Sequence, residues 1–163
     1  MTTIHPCEPE TIRDIMFEIG DFANNPPVIA LREQKPQIFQ QIQDYYDATV
    51  EPRNPGNIIL VERALIAQRT AAGIPSPVLA TWYQTRLDAL GGEIDEPAPR
   101  IRAILDRIAL VNTDPDKTTP EDVQALQKAG LDETDIIAVS QLIAFIHYQA
   151  RLLAGLNALG ARS

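Results

Sequence analysis

Apolar residues along the chain recur at the three- and four-residue spacing of an α-helix, and no run bounded by turns alternates as a β-strand does. Proline and glycine fall between the periodic segments, which indicates where helices begin and end. We therefore predict an all-α fold. The predicted helices run from about Pro9 to Phe22, through a short helical turn to Arg32, from Pro36 to Val50, from Val61 to Ala72, from Pro77 to Leu90, from Arg100 to Asn112, from Pro120 to a stop at Gly130, and from Glu133 to Leu159.

The segment from Gly73 to Pro77 is predicted to separate two packed antiparallel helices. Gly73 suits a helix C-cap, and Ser76 followed by Pro77 is typical of an N-cap and the first helical residue. Pro75 and Pro77 both block a continuous helix. Further along, Asp132 is expected to cap the last and longest helix.

A faint internal repeat lies late in two of the predicted helices. Tyr83 to Ala89 matches Tyr148 to Ala154 at five of seven positions. Each copy follows an apolar segment that starts with an acid, Glu62 to Leu65 and Asp135 to Ala138. Short matches also arise by chance, but this one hints at two related helical hairpins.

Length and charge limit the classes of function. The 163 residues suit one domain, with residues 1–53 as an N-terminal helical extension and residues 54–163 as the core. The chain has 22 acidic and 14 basic residues, and its net charge of −8 should repel nucleic-acid phosphates and anionic membranes. The most apolar run, Ile136 to Ile146, is interrupted by Ser140 and Gln141. We predict neither a nucleic-acid partner nor a membrane partner.

The N-terminal sequence MTTIHPCE lacks the basic and apolar regions of a secretion signal, which predicts a cytoplasmic location. It contains the single cysteine, Cys7, which cannot form a disulfide within the chain. Because Cys7 lies in a proline-flanked leader, we expect an ordinary thiol there.

The last third of the chain carries a recognisable pair of motifs. They are Thr119 to Ile137, TPEDVQALQKAGLDETDII, and Gln141 to Leu152, QLIAFIHYQARL. Together they resemble the closing segment of carboxymuconolactone decarboxylase-like proteins, a superfamily that includes alkylhydroperoxidase D-like enzymes and peroxidase-related proteins. The resemblance extends back through Gly56 to Gly91. It implies an alkylhydroperoxidase D-like helical fold that assembles into homo-oligomers.

The peroxidase branch of that superfamily carries a glutamate, eleven residues, Cys-x-x-Cys, three residues and a histidine. In that branch the first cysteine attacks the peroxide, the second resolves the sulfenic acid, and the glutamate and histidine relay the proton. Counted from Glu62, the two sulfurs fall on Ile74 and Pro77 and the histidine falls on Thr81. Only the glutamate is present, so the resemblance implies a thiol-less member with these three as vestigial motif positions.

Glu62 and Arg69 are predicted to share one face of a helix with Ile66 and Gly73, aimed at the break. Glu62 is a candidate catalytic acid or base, and Arg69 is a candidate to hold a ligand carboxylate. The alternative is that both residues form ion pairs at the surface or with another subunit.

The last helix carries a polar stripe of Ser140, His147 and Arg151, with Tyr148 beside it, in otherwise apolar sequence. Such a stripe marks an internal cavity or a subunit interface, because buried polar groups need partners. His147 is a candidate acid or base near neutral pH, and the other three are candidate ligand-binding residues. A hydrogen-bonded core or interface histidine is the alternative.

Trp82 and Tyr83 follow the break and are candidates to line a ligand pocket, the alternative being ordinary core residues. No metal site is expected, since the two histidines, His5 and His147, lie far apart without a partner at ligand spacing. No glycine-rich phosphate loop is present, so no cofactor is predicted.

Four kinds of function are ranked by these observations. The first is a thiol-less protein that binds a small, anionic or aromatic ligand in an interhelical or subunit-interface pocket. The alternative is a cofactor-free acid–base enzyme of the lactone decarboxylase type that uses Glu62 and His147. A structural or partner-binding subunit comes third and a thiol peroxidase last. Convergence of Glu62, Arg69 and His147 around a cavity would favour the first two.

Overall fold

The computed structural model describes residues 13–92 and 98–161, and all regular structure within these ranges is helical. The predicted all-α class is confirmed. The eight α-helices of the described residues are α1 (Ile15–Gly20), α2 (Pro26–Gln34), α3 (Pro36–Thr49), α4 (Leu60–Ala72), α5 (Pro77–Ala89), α6 (Pro99–Thr113), α7 (Pro120–Lys128) and α8 (Glu133–Gly160). Short 3-10 turns lie at Phe22–Asn24 and Pro115–Lys117.

The helix starts follow local rules of the sequence. Proline is the first residue of α2, α3, α5, α6 and α7, where its fixed φ suits the helix and its missing N–H needs no partner. The Asp132 side chain accepts the Asp135 backbone N–H at 2.8 Å, which caps α8 as predicted. At the start of α7, the Asp122 carboxylate accepts the Thr119 backbone N–H at 2.7 Å and the Thr119 hydroxyl at 3.1 Å.

The break between α4 and α5 is present, and the two helices fold back on each other. Ala64, early in α4, and Leu87, late in α5, belong to one apolar cluster, as an antiparallel pair requires. Ser76 occupies the N-cap position, but its side chain makes no capping hydrogen bond.

Gly73 is the C-cap of α4, although its φ of −86° is open to any residue. A Cβ atom there would lie 2.1 Å from the side-chain amide nitrogen of Asn112. Packing against α6, and not backbone conformation, therefore requires the glycine.

Helices α4 and α8 form the centre of the molecule, and α4 packs against α5, α6 and α8. One apolar cluster extends from Ile15 in α1 to Leu156 in α8. The described part of the N-terminal extension therefore shares the core with the rest of the chain. The bulkiest fully buried side chains include Phe22, Tyr46, Ile66, Leu79, Tyr83, Leu142 and Ile146.

The first helix differs from its predicted bounds of Pro9 to Phe22. Residues 9–12 lie outside the described ranges, and α1 begins at Ile15 because the Asp14 side chain accepts the Phe17 backbone N–H at 3.2 Å. The helix ends at Gly20 because Asp21 adopts a left-handed conformation with φ +52°. A 3-10 turn follows it.

The two copies of the faint repeat lie in different settings. The copy that starts at Tyr83 belongs to α5 of a hairpin, whereas the copy that starts at Tyr148 lies within the 28 residues of α8. The repeat therefore does not correspond to two like hairpins, because the second copy has no break before it.

Helix α8 is also long and apolar enough to cross a membrane, with a mean hydropathy of 1.4 over its most apolar window. Half of that window is buried within the protein. A central helix of a globular protein passes the same test of length and composition, so this is weak evidence for a membrane span.

Candidate functional site

Glu51 lies just after the end of α3. Its carboxylate contacts three separate parts of the chain. Its Oε1 accepts the Tyr46 hydroxyl at 2.9 Å and is paired with Nη2 of Arg86 on α5. Its Oε2 lies 3.4 Å from Nη1 of Arg13, which precedes α1. Glu51 thus ties the N-terminal segment and α3 to α5.

The Glu51–Arg86 pair forms the polar wall of a cavity of about 280 Å³, which we call the α4–α5 cleft. Leu60 and Leu90 lie at its walls and are 37% and 46% exposed, so apolar surface is open to solvent there. The cleft is lined by Val50, Glu51, Leu60, Ala64, Tyr83, Arg86, Ala89 and Leu90. An apolar cavity with a few polar groups at one end is the usual form of a small-molecule site.

Two buried tyrosines lie beneath the cleft. The Tyr83 hydroxyl donates to Oε1 of Gln149 on α8 at 2.6 Å, and burial raises the pKa of Tyr83 well above its ordinary value. Burial also raises the pKa of Tyr46, against the opposing effects of Arg86 and Arg13. Both phenols therefore stay protonated near neutral pH and serve as hydrogen-bond donors.

Arg86 also lines a second cleft, the outer cleft, of about 480 Å³. The outer cleft is lined by Ile19, Pro77, Val78, Thr81, Trp82, Thr85 and Arg86. The Arg86 guanidinium lies 6.0 Å from the centre of the Trp82 ring. Among the described residues, no acceptor lies in hydrogen-bonding geometry with the buried indole nitrogen of Trp82. Arg86 therefore lines both clefts.

Glu62, the predicted acid or base, is engaged at the start of α4. It is 9% exposed, its Oε2 accepts the Ile59 backbone N–H at 3.2 Å, and its Oε1 lies 3.2 Å from Nε of Arg100. Arg100 also reaches Asp135 at the start of α8, with 3.6 Å between Nη1 and Oδ2. Glu62 therefore caps its own helix and links it to α6 and α8.

Arg63, for which the sequence predicts no special role, is a buried cation with three hydrogen bonds. Its guanidinium donates to the backbone carbonyls of Ile58, Thr49 and Pro55 at 2.8, 2.7 and 2.9 Å. Burial lowers the pKa of Arg63, while Asp135 and Glu62 oppose that shift. Arg63 therefore holds the turn between α3 and α4 in place.

His147 belongs to a second polar network at the other end of α4. Nδ2 of Asn112 donates to the Thr70 carbonyl at 3.2 Å, so Oδ1 of Asn112 is the acceptor 2.9 Å from Nε2 of His147. His147 accordingly donates from Nε2. Burial, and then the charge of Arg151, lower the pKa of His147.

Glu62 and His147 are not brought together. Thr70, which anchors the histidine network, lies eight residues after Glu62 on α4, a rise of about 12 Å at 1.5 Å per residue. Neither residue lines the α4–α5 cleft or the outer cleft. The geometry gives no shared cavity for an acid–base pair.

The other candidates are scattered over the surface. Arg69 is exposed in the last turn of α4, and Ser140 is half-buried on α8. Tyr148 is exposed beside Phe145, in an apolar groove of about 410 Å³ between α3 and α8. Arg151 is exposed and lies near His147. The structure does not unite these residues in one site.

The three vestigial positions surround the break. Ile74 is partly buried against the core, Pro77 is exposed as the first residue of α5, and Thr81 is exposed one turn later. Cys7 and His5 lie outside the described residues. Within residues 13–92 and 98–161, no group of three His, Cys, Asp or Glu side chains could hold a metal ion.

The lowered pKa of His147 predicts a pH-dependent contribution to stability. The folded protein binds this proton less readily than the unfolded chain, whose histidine has a pKa of 6.5. Its contribution is complete above that value and is lost as the pH falls through the folded pKa. We expect the free energy of unfolding to fall more steeply with acidification in the native protein than in His147→Gln. The measurement is urea denaturation from pH 7.5 to 5. An equal fall in the free energy of unfolding for the two proteins would contradict this expectation.

Comparison with known protein families, characterised proteins and solved structures finds no match for the chain. The family resemblance therefore rests on the motifs between Thr119 and Leu152 and on the register counted from Glu62.

Proposed function

We propose that the protein is a thiol-less relative of the carboxymuconolactone decarboxylase-like proteins that binds a small, largely apolar ligand in the α4–α5 cleft. The observation that carries this proposal is the placement of the Glu51–Arg86 pair on the wall of an otherwise apolar cavity. A charged group at one end of an apolar cavity can orient a ligand there. The same pair also holds α5 to the segment after α3.

Binding in the cleft is tested by filling it. Ala89 is exposed and lines the cleft, so Ala89→Phe should occupy the cavity without overpacking the core. Calorimetric titration with 1-octanol, a neutral apolar probe, should give saturable binding that is lost in Ala89→Phe. The matched control is Ala109→Phe, an exposed position on α6 that lines none of the described clefts. Equal binding by the native protein and Ala89→Phe would overturn the proposal.

An acid–base enzyme of the lactone decarboxylase type is the weaker candidate. Glu62 is held by Arg100 and His147 by Asn112, at opposite ends of α4. These contacts support structural roles for both residues.

The same proposal predicts no reduction of alkyl hydroperoxides or hydrogen peroxide by a two-cysteine cycle. Ile74 and Pro77 supply no thiolate, and a peroxide oxygen needs one as its nucleophile. Peroxide consumption with a dithiol reductant should equal the buffer rate, in the native protein and in Cys7→Ser alike. Turnover that disappears in Cys7→Ser would identify Cys7 as a displaced peroxidatic thiol.

We further propose that the chain forms a homo-oligomer in the cytoplasm. The exposed Tyr148 and Ile137 on α8 supply apolar surface for such an interface. Sedimentation at micromolar concentration should give a mass above that of one chain, and Arg151→Ala should lower it. A monomer mass for the native protein would contradict this expectation.

A further inference from the structure

We infer that the ligand of the α4–α5 cleft is an apolar monocarboxylate, whose carboxylate replaces Glu51 on Arg86. This inference rests on the proposed ligand-binding function and names its chemical class. Three features of the cleft support it: the hydrogen bond of Arg86, the partners of Glu51, and the size of the apolar cavity.

Arg86 is the single cationic side chain among the residues that line the cleft. In the part of the chain that the structure describes, Arg86 makes one hydrogen bond, which Nη2 donates to the Glu51 carboxylate. A guanidinium presents a planar fork that suits a carboxylate with two parallel hydrogen bonds. The contact with Glu51 shows that a carboxylate fits at this wall of the cavity.

Glu51 has other partners if a ligand displaces it from Arg86. It keeps the Tyr46 hydroxyl at 2.9 Å and the Arg13 guanidinium at 3.4 Å. A charge left without a partner would be costly. The exchange avoids this cost, because Glu51 and Arg86 each keep an oppositely charged partner. Glu51 can thus release Arg86 to a ligand carboxylate and keep its other two donors.

A cationic ligand suits this wall less well. Glu51 already receives three donors, and a cation placed on it would meet both Arg86 and Arg13 at close range. Glu18 offsets Arg13, at 3.4 Å, but it does not line the cleft. Like charges at such distances repel, so the wall discriminates in favour of an anion.

The apolar walls set the size of the rest of the ligand. The cavity of about 280 Å³ holds about nine non-hydrogen atoms, at roughly 30 Å³ for a group the size of a water molecule. Val50, Leu60, Ala64 and Leu90 offer contacts to hydrocarbon. A medium-chain or aryl-substituted acid meets both requirements.

Three probes of equal chain length test the charge preference: octanoate, 1-octanol and octylamine. Octanoate should bind at least tenfold more tightly than 1-octanol, as expected for a charge-assisted pair of hydrogen bonds. Octylamine should bind most weakly. Trp82, the sole tryptophan, lies beside Arg86, so its fluorescence should also respond to octanoate.

Three substitutions separate ligand recognition from folding. Glu51→Gln removes the competing charge and should tighten octanoate binding severalfold. Arg86→Gln should abolish the preference for octanoate and leave 1-octanol binding in place. Arg86→Lys, which keeps the charge but not the fork, should give an intermediate preference. Unchanged circular dichroism in each variant shows that the fold is retained.

The outcomes distinguish the two proposals. Equal affinities for octanoate and 1-octanol, both lost in Ala89→Phe, would overturn the carboxylate inference and leave the binding function intact. Tighter binding of octylamine than of octanoate would also overturn it. Binding of no probe, or binding that Ala89→Phe does not change, would overturn the proposed function itself.

Discussion

Arg63→Ala is expected to destabilise the protein by about 3 kcal/mol or more. The substitution removes hydrogen bonds to three backbone carbonyls and leaves the nearby buried carboxylates of Glu62 and Asp135 with less compensating charge. The side chain is 7% exposed, so water cannot easily replace the guanidinium. The measurement is the free energy of unfolding from urea denaturation.

The matched control is Arg53→Ala, an exposed arginine in the same turn, for which we expect a change within about 0.5 kcal/mol. Arg63→Lys should fall between the two, because an ammonium group cannot span three carbonyls as a guanidinium does. A loss below about 1 kcal/mol for Arg63→Ala would show that the turn between α3 and α4 does not depend on this residue.

Breaking the hydrogen bond between Tyr83 and Gln149 is expected to cost about 1–3 kcal/mol from either side. Tyr83→Phe leaves the Gln149 carbonyl without its 2.6 Å partner, and Gln149→Leu leaves the Tyr83 hydroxyl without an acceptor. Both residues are completely buried, so neither group gains water in exchange.

The double variant Tyr83→Phe/Gln149→Leu provides the decisive comparison. Replacing both partners removes the unpaired group, so the double variant should be more stable than the sum of the two single losses predicts. Additive losses in chemical denaturation would mean that this contact between α5 and α8 contributes through packing alone.

The starts and ends of most helices could be predicted because their signals are local in the sequence. Pro36, Pro77 and Pro120 each begin a helix in the structure, and Asp132 caps α8 through a hydrogen bond within three residues. Such signals depend on neighbours along the chain and need no tertiary contact. The one clear error of this kind is the first helix, whose end depends on the left-handed Asp21.

The roles of individual polar residues could not be predicted in the same way. Periodicity places Glu62 on a face of α4, but it does not show that Arg100, thirty-eight positions later, supplies the counter-charge. Periodicity also does not distinguish Arg63 from any other arginine in a helix. Its role depends on the path of the preceding turn, which brings Thr49 and Pro55 to its guanidinium.

The α4–α5 cleft could not be predicted from the sequence, for a related reason. Glu51 lies in an irregular segment without periodicity, and its partners Tyr46, Arg86 and Arg13 belong to three separate parts of the chain. The one signal within reach was the i, i+4 spacing of Trp82 and Arg86, which places an aromatic ring beside a cation on α5. Tyr83, a candidate pocket residue from sequence, does line the cleft.

The location of bound octanoate distinguishes the α4–α5 cleft from the groove between α3 and α8. In assigned heteronuclear NMR spectra, titration should shift the backbone amides of Ala64, Ala89 and Leu90, which line the α4–α5 cleft. The amides of Ala144 and Tyr148, in the groove between α3 and α8, should stay in place. Saturable shifts confined to Ala144 and Tyr148 would place the ligand in that groove and contradict the account.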